Sequence, residues 1–355
     1  MTSTPATSAS LRKQPLKDLM RIVRQRGNRS ACIVKRALPS PGAGEVLIKT
    51  AASALCGSEL ASYRNEGNGE GNLGHEAAGV VVELGSGVEG LLPGQRVGVS
   101  AIAGCGECRE CHLGRYTWCD RFAFYGNMHA DYFVARAQAC HLLPDDVPWD
   151  VGVLISGDGL GVPFHTSRKI VEKSIENIVI FGMGPIGLGN VLLQSHLGRR
   201  VIAVELSIER LRLARSLGAA ETIEVSASID IPSAVRDILG GDLADVCIEA
   251  SGVPLAAKQC FKTVRKGGRV IFNGEQPALE LSPSEDFIRR DITATGAWFY
   301  HFNEYPEMLE LFRKGLPVQS LITHRFPLEE IATAYRAMED GSSGKVIIEY
   351  QENTD

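Results

Sequence analysis

The chain has 355 residues, 44% hydrophobic and 22% charged, which is enough to bury the cores of two domains. Its formal net charge of -5 provides no global attraction to nucleic acid or anionic membranes. No apolar run reaches the roughly 18 residues of a membrane-spanning helix, and the composition is ordinary for a soluble globular enzyme.

In chain order, residues 1–19 are Ser/Thr-rich, with Arg12, Lys13 and Lys17 set against Asp18 alone. They lack the apolar core of a secretory signal and read as a flexible extension on a cytoplasmic protein, an organelle transit peptide being the alternative. In a reducing compartment the nine cysteines are expected as thiols or metal ligands and not as a disulfide framework. From Met20 the chain reads as β-rich, with strands at 31–34, 45–50, 77–84, 95–100 and 130–135. Turns at Pro39-Ser40-Pro41-Gly42 and Pro93-Gly94, a Gly/Asn loop at 65–74 and a cysteine-dense loop at 105–119 punctuate them. Residues 151–171 read as helix.

Strands and helices then alternate. Strands fall at 178–181, 201–204, 221–225, 245–249, 269–272 and 292–297. Helices fall at 186–197, from Ser207 to a stop at Gly218, near 233–239 and at 255–264. That order predicts a doubly wound α/β domain with a parallel sheet. Two amphipathic helices, 306–313 and 328–338, and a strand at 345–350 close the chain, and periodicity leaves open which domain takes them.

The densest signal lies at 177–205. An apolar strand runs into Gly182, Gly184 and Gly187 at G-x-G-x-x-G spacing, Pro185 and Ile186 open the next helix, and Glu205 ends the next strand. The glycines suit a tight turn, close approach of a pyrophosphate and close helix–strand contact. The helix N-terminus offers free N–H groups to phosphates, and Glu205 is placed to accept from the adenosine ribose hydroxyls. A glycine triplet alone fits any strand–turn–helix; the strand, helix and acidic residue together predict a dinucleotide. A carboxylate at Glu205 repels a ribose 2′-phosphate and favours NAD over NADP. Arg210 is expected to flank the adenosine ribose, although a cation there also tolerates that phosphate.

Two sets of residues have the chemistry of metal ligands. Cys105, Cys108, Cys111 and Cys119 follow C-x2-C-x2-C-x7-C among Gly104, Gly106 and Gly114. Four thiolates close a tetrahedral zinc site with no position left for substrate; disulfides are the competing reading. Cys56, His75 and Asp158 are dispersed, and one thiolate, one imidazole and one carboxylate make a zinc set with an open fourth position. Singly, they read equally well as a buried small hydrophobe, a core histidine and a helix cap.

Taken together, GEVLIK, CGS, GHEAAG, PGQRV, the four-cysteine loop, GMGPIG, AVELSIERL, DVCIEASG, GGRVIF and FPLEEIATAY resemble, in order, the zinc-dependent medium-chain alcohol/polyol dehydrogenases. The resemblance runs from Met20 to the C-terminus, and DGLGVPFHT looks most like the sorbitol and threonine dehydrogenase-like branch. It implies a GroES-like β-rich catalytic domain at 20–160 and 298–355 around a Rossmann domain at 161–297. It implies a catalytic zinc on Cys56, His75 and Asp158, with Glu76 beside the metal as an alternative or transient ligand, and a structural zinc on the four-cysteine loop. It also implies that Ser58 takes the substrate proton, that the cofactor is NAD, that an alcohol and its ketone are the small-molecule partners, and that the chain forms a homodimer or homotetramer. Ala61 stands where the family usually carries the histidine that ends its proton relay, and Glu59 replaces the commoner aspartate. Trp298, Phe299, Tyr300 and His301 are expected to line the pocket or a subunit contact, or to pack as a core segment. Two other functions stay in view: an NADPH-dependent reductase of a carbonyl or conjugated alkene, and a non-catalytic zinc- and nucleotide-binding protein.

Overall fold

The computed structural model describes residues 18–350, so most of the expected N-terminal extension lies outside the described residues. Two large sheets carry the molecule. One has six parallel strands in the spatial order Glu221–Glu224, Arg200–Glu205, Asn177–Phe181, Ala244–Glu249, Val264–Phe272 and Thr293–Gly296. This is the doubly wound order, with its switch point between Asn177–Phe181 and Ala244–Glu249, where such sheets bind ligands beyond the strand ends. Strand residues alternate between two cores. Ile178, Ile180, Val201, Ala203, Val246 and Ile248 pack with Leu188 and Val191 on one face. Val179, Phe181, Ile202, Val204 and Cys247 pack with Val235 and Phe261 on the other. Both faces are covered, which is why these strands read as continuous apolar runs.

The other sheet has seven strands. Its path runs Ile322–Pro327, Lys345–Glu349, Glu45–Leu55, Ala77–Leu84, Arg96–Val99, Cys140–Leu142, with Tyr132–Arg136 pairing Glu45–Leu55. The last two strands of the chain therefore complete the sheet built by the first part, resolving the assignment that periodicity left open.

Three local features differ from expectation. Leu19–Gly27 is a strand, antiparallel to Ser30–Ala37, although its buried positions include the polar Gln25. Glu59–Arg64 is a six-residue helix, too short to show a period. The helix expected over 151–171 is two helices, Trp149–Ser156 and Asp158–Ser167. Gly157 breaks it in an extended conformation, where an added Cβ would meet Val153 O at 2.7 Å and Glu76 Oε2 at 2.8 Å. The break turns Asp158 inward at the start of the second helix. Among the described residues no helix is long and apolar enough to cross a membrane.

Candidate active site

Adjacent strand ends assemble the first cluster. Cys56 follows Glu45–Leu55; His75 and Glu76 precede Ala77–Leu84, and Ser53 pairs with Ala77 across the ladder. Asp158 reaches them from its helix start, 102 residues from Cys56 in sequence. Their ligand atoms, with a carboxylate oxygen of Glu76, all lie within 4.8 Å of one another, and all four residues are buried. His75 Nε2 stands 3.1 Å from Asp158 Oδ2, and Cys56 Sγ stands 3.6 Å from the same oxygen.

The donors fit a zinc ion. His75 Nδ1 donates to Leu73 O at 2.8 Å, leaving the Nε2 lone pair for the cluster, the tautomer a metal-binding histidine needs. Burial pulls the His75 imidazole down, but the Cys56 thiol and Asp158 carboxylate beside it lift it well above the ordinary histidine value. Burial likewise pushes Asp158 up, and the His75 hydrogen bond, with the charges of His75 and Lys345, brings it below the ordinary carboxylate value. A thiol, an imidazole and two carboxylates, all buried and with their ligand atoms within 4.8 Å of one another, make a place for a cation.

Behind the cluster lies a residue that sequence reasoning missed. Lys345 is fully buried and its Nζ donates to Glu76 Oε1, while Glu76 Oε2 accepts from Gly159 N at 3.3 Å. Val346 pairs with Leu55, so Lys345 stands at the strand end beside Cys56. Burial lowers the Lys345 ammonium, yet Glu76, Cys56 and Asp158 hold it above its ordinary value. Burial and Asp158 push Glu76 up while Lys345 pulls it back; the direct contact is that of an ion pair. A lysine opening an apolar strand was the available signal.

Glu59 was noted only as a departure from aspartate. Its fully buried carboxylate accepts from Cys56 N at 2.9 Å, from Tyr335 Oη at 2.6 Å and from His129 Nε2 at 3.1 Å. His129 Nδ1 meets Ser53 Oγ at 2.8 Å. Burial works to raise Glu59, but His129 and Tyr335 hold it down to about 2. This anionic anchor fixes the turn that carries Cys56. Ser58, two residues on, is exposed at the start of the Glu59–Arg64 helix with no side-chain cap bond, and Ala61 is exposed on that helix.

The four-cysteine loop forms the second cluster, again with every Sγ within 4.8 Å of the others. Cys108 Sγ is 3.5 Å and Cys105 Sγ is 3.9 Å from Cys111 Sγ. A tetrahedral Zn–S shell implies edges of about 3.8 Å, whereas a disulfide needs about 2.05 Å. The thiols are free, so the disulfide reading fails and the spacing fits zinc. The Glu107 backbone N–H draws Cys105 down to about 6, and burial pushes Cys111 up to about 12. Cys108→Ser is expected to lower the thermal midpoint and remove one zinc, because a closed site contributes directly to folding. Zinc analysis beside thermal denaturation checks this; unchanged values would sink the assignment.

At the glycine loop, Gly182 has φ +88°, and a Cβ on Gly187 would lie 1.8 Å from Gly182 O. Gly184 differs: no atom lies within 4 Å of where its Cβ would stand. That opening faces the start of helix Pro185–His196, with Pro185 in its first turn, and it fits a pyrophosphate on the free N–H groups from Ile186 onward. Glu205 Oε2 accepts from Met183 N at 2.7 Å, so the acidic residue stands against the glycine loop. Arg210 is half-buried and its Nε donates to Ser343 O at 3.4 Å, tying the helix after Glu205 to the segment before Lys345.

The segment 298–301 divides. Tyr300 and His301 are buried, Tyr300 Oη donating to Ser156 O at 2.5 Å and His301 Nδ1 meeting Thr117 Oγ1 at 2.9 Å. Phe299 instead lies 5.9 Å from the His75 ring, and Trp298 is 39% exposed.

A parallel dinucleotide sheet beside a β-rich sheet carrying a thiol–imidazole–carboxylate cluster defines an oxidoreductase of alcohols. Residues 42–145 match the family model "Alcohol dehydrogenase GroES-like domain" and residues 185–314 match "Zinc-binding dehydrogenase". The chain is 30% identical over 326 residues to an L-threonine 3-dehydrogenase of Chromobacterium violaceum, covering 88% of this chain and 94% of the relative. It is 29% identical over 328 residues to a sorbitol dehydrogenase of Gallus gallus, covering 88% and 91%. A solved zinc-binding dehydrogenase from Sinorhizobium meliloti, bound to NADP, superposes with a TM-score of 0.80 at 25% identity, covering 94% of this chain and 100% of that one. The chain belongs to the zinc-dependent medium-chain alcohol dehydrogenase family.

Proposed function

We propose that the protein oxidises a polar secondary alcohol reversibly to its ketone with NAD, at a site ligated by Cys56, His75 and Asp158. The observation that carries this reading is the convergence of those three buried donors, with the His75 tautomer fixed for ligation. Zinc held there would supply Lewis acidity, lowering the pKa of a coordinated hydroxyl. NAD on the glycine loop would supply the hydride acceptor.

The chain's own residues do the rest. Ser58 takes the alcohol proton, its hydroxyl being uncommitted to a helix cap. Ala61 carries no donor or acceptor, so the proton leaves by water or by a substrate hydroxyl. Glu76 holds the ligand cluster against Lys345 and stands ready as an alternative ligand. The four-cysteine loop holds a structural zinc, and the catalytic and dinucleotide domains divide near 160 and 298. Substrates of the polyol, cyclitol, amino sugar or amino acid alcohol kind are in keeping with the threonine and sorbitol dehydrogenase relatives.

The choice of NAD rests on Glu205, and it is tested directly. NAD is expected to support turnover better than NADP, and Glu205→Ser is expected to raise the NADP-to-NAD ratio of kcat/KM at least about tenfold, because repulsion of a 2′-phosphate is removed. Equal use of both cofactors by the unmodified protein, or preference for NADP as in the reductase reading, would contradict it.

A further inference from the structure

The ligand His75 is walled by aromatic rings. Phe124 lies 5.4 Å and Phe299 5.9 Å from its imidazole, and they lie 6.0 Å from each other, tilted at 67°. Trp298 meets Phe299 edge to face at 4.7 Å, and Phe122 meets Trp298 at 5.7 Å. The rings come from two separate segments: Phe122 and Phe124 follow the four-cysteine loop, while Trp298 and Phe299 follow the last parallel strand. Phe299 sits at φ +50°, a conformation costly for a non-glycine residue and tolerated at ligand clamps. Phe122, Phe124 and Trp298 are 40%, 46% and 39% exposed, so the wall keeps open surface beside the buried cluster.

We propose that Phe124 and Phe299 are specificity-determining residues that select a ring alcohol, one whose flat C–H face lies on these rings while its carbinol oxygen reaches the Cys56–His75–Asp158 cluster. The inference rests on the alcohol dehydrogenase reading and narrows its substrate class. The carbinol carbon gives its hydride to the nicotinamide, the hydroxyl gives its proton to Ser58, and the product is a cyclic ketone. Aromatic faces are electron-rich, and the C–H bonds of a saturated ring point their positive ends at such a face. A closed ring presents several of them together. An open-chain polyol has no flat face and loses more rotational freedom on binding. The same wall suits a cyclitol and an unsubstituted alicyclic alcohol, so the shared chemistry is the ring.

The test is steady-state oxidation of myo-inositol, cyclohexanol and sorbitol by the full-length zinc-loaded protein with NAD. The better ring alcohol is expected to exceed sorbitol in kcat/KM by about tenfold, the scale of stacking on two rings. Whether myo-inositol or cyclohexanol leads identifies a hydroxylated or plain ring. In Phe124→Leu, which keeps apolar bulk and removes the π face, that advantage should shrink to within about threefold, chiefly through KM. Phe299→Leu should act in the same direction, and NADH fluorescence on binding reports that each variant is folded. Preference for sorbitol over both rings, or an unchanged ratio in both variants, overturns the inference and leaves the alcohol dehydrogenase reading standing. Oxidation of none of the three overturns both.

Discussion

Asp158→Ala is expected to reduce turnover at least about a hundredfold, the rate equivalent of losing ~3 kcal/mol of transition-state stabilisation, while the protein stays folded. The carboxylate bridges the two other donors: Oδ2 lies within 3.1 Å of His75 Nε2 and 3.6 Å of Cys56 Sγ. Without it, Cys56 and His75 remain, and a third donor has to come from Glu76, which the ion pair with Lys345 holds back. Zinc content should fall from two per chain, one for each cluster, to about one. The fold should survive because the side chain starts a helix whose remaining turns are held by Leu160, Val162 and Phe164 in the core. Asp158→Cys, which puts a thiolate donor in its place, should recover zinc and part of the activity. Full activity in the alanine variant would remove Asp158 from the site.

Lys345→Met should destabilise the protein by about 3–5 kcal/mol, the usual cost of stranding one charge of a buried pair. Glu76 would keep only the Gly159 N–H, at 3.3 Å, as a hydrogen-bond donor. The double variant Glu76→Gln/Lys345→Met should lose less, since a buried pair replaced as a unit is often close to neutral. The measurement is the denaturant midpoint of the three proteins. Additive losses would mean that the two residues act independently, contrary to their direct contact.

The parts of this molecule that were legible in its sequence are those whose signal is local. The glycine loop, its flanking strands and Glu205 fall within 29 residues, 177–205, and the four thiols within 15, 105–119. Each closes a site whose geometry follows from spacing. The Cys56–His75–Asp158 cluster is different: Cys56 and Asp158 are 102 residues apart, so their ligand chemistry made them candidates and the family resemblance, not spacing, joined them. The pair Glu76–Lys345, 269 residues apart, had no sequence signature except a lysine at the start of an apolar strand. The first strand was missed for a related reason. Gln25 is buried because Leu73 N donates to its Oε1 and its Nε2 donates to Tyr335 Oη, partners 48 and 310 residues away in the chain. The helix break at Gly157 was hidden because both helices are buried along nearly their whole length, against residues such as Leu143, Ile178 and Tyr300, so no period marked the boundary. Within the aromatic segment, Phe299 turns to the site, Tyr300 and His301 to the core, and Trp298 stays exposed, a division that follows from the turn at Phe299 and not from composition.

The central claim is that three buried donors make this chain a zinc-dependent, NAD-linked oxidant of secondary alcohols. The measurement that meets it most directly is NADH formation with sorbitol, L-threonine and myo-inositol, followed by absorbance, on protein stripped of the exchangeable metal by chelator and on the same protein reloaded with zinc. The account predicts loss of NADH formation on stripping, its return with zinc, and ligation of the returning ion by Cys56, His75 and Asp158, so that the Asp158→Ala protein does not recover. Equal NADH formation before and after stripping, or recovery by the Asp158→Ala protein, would contradict it.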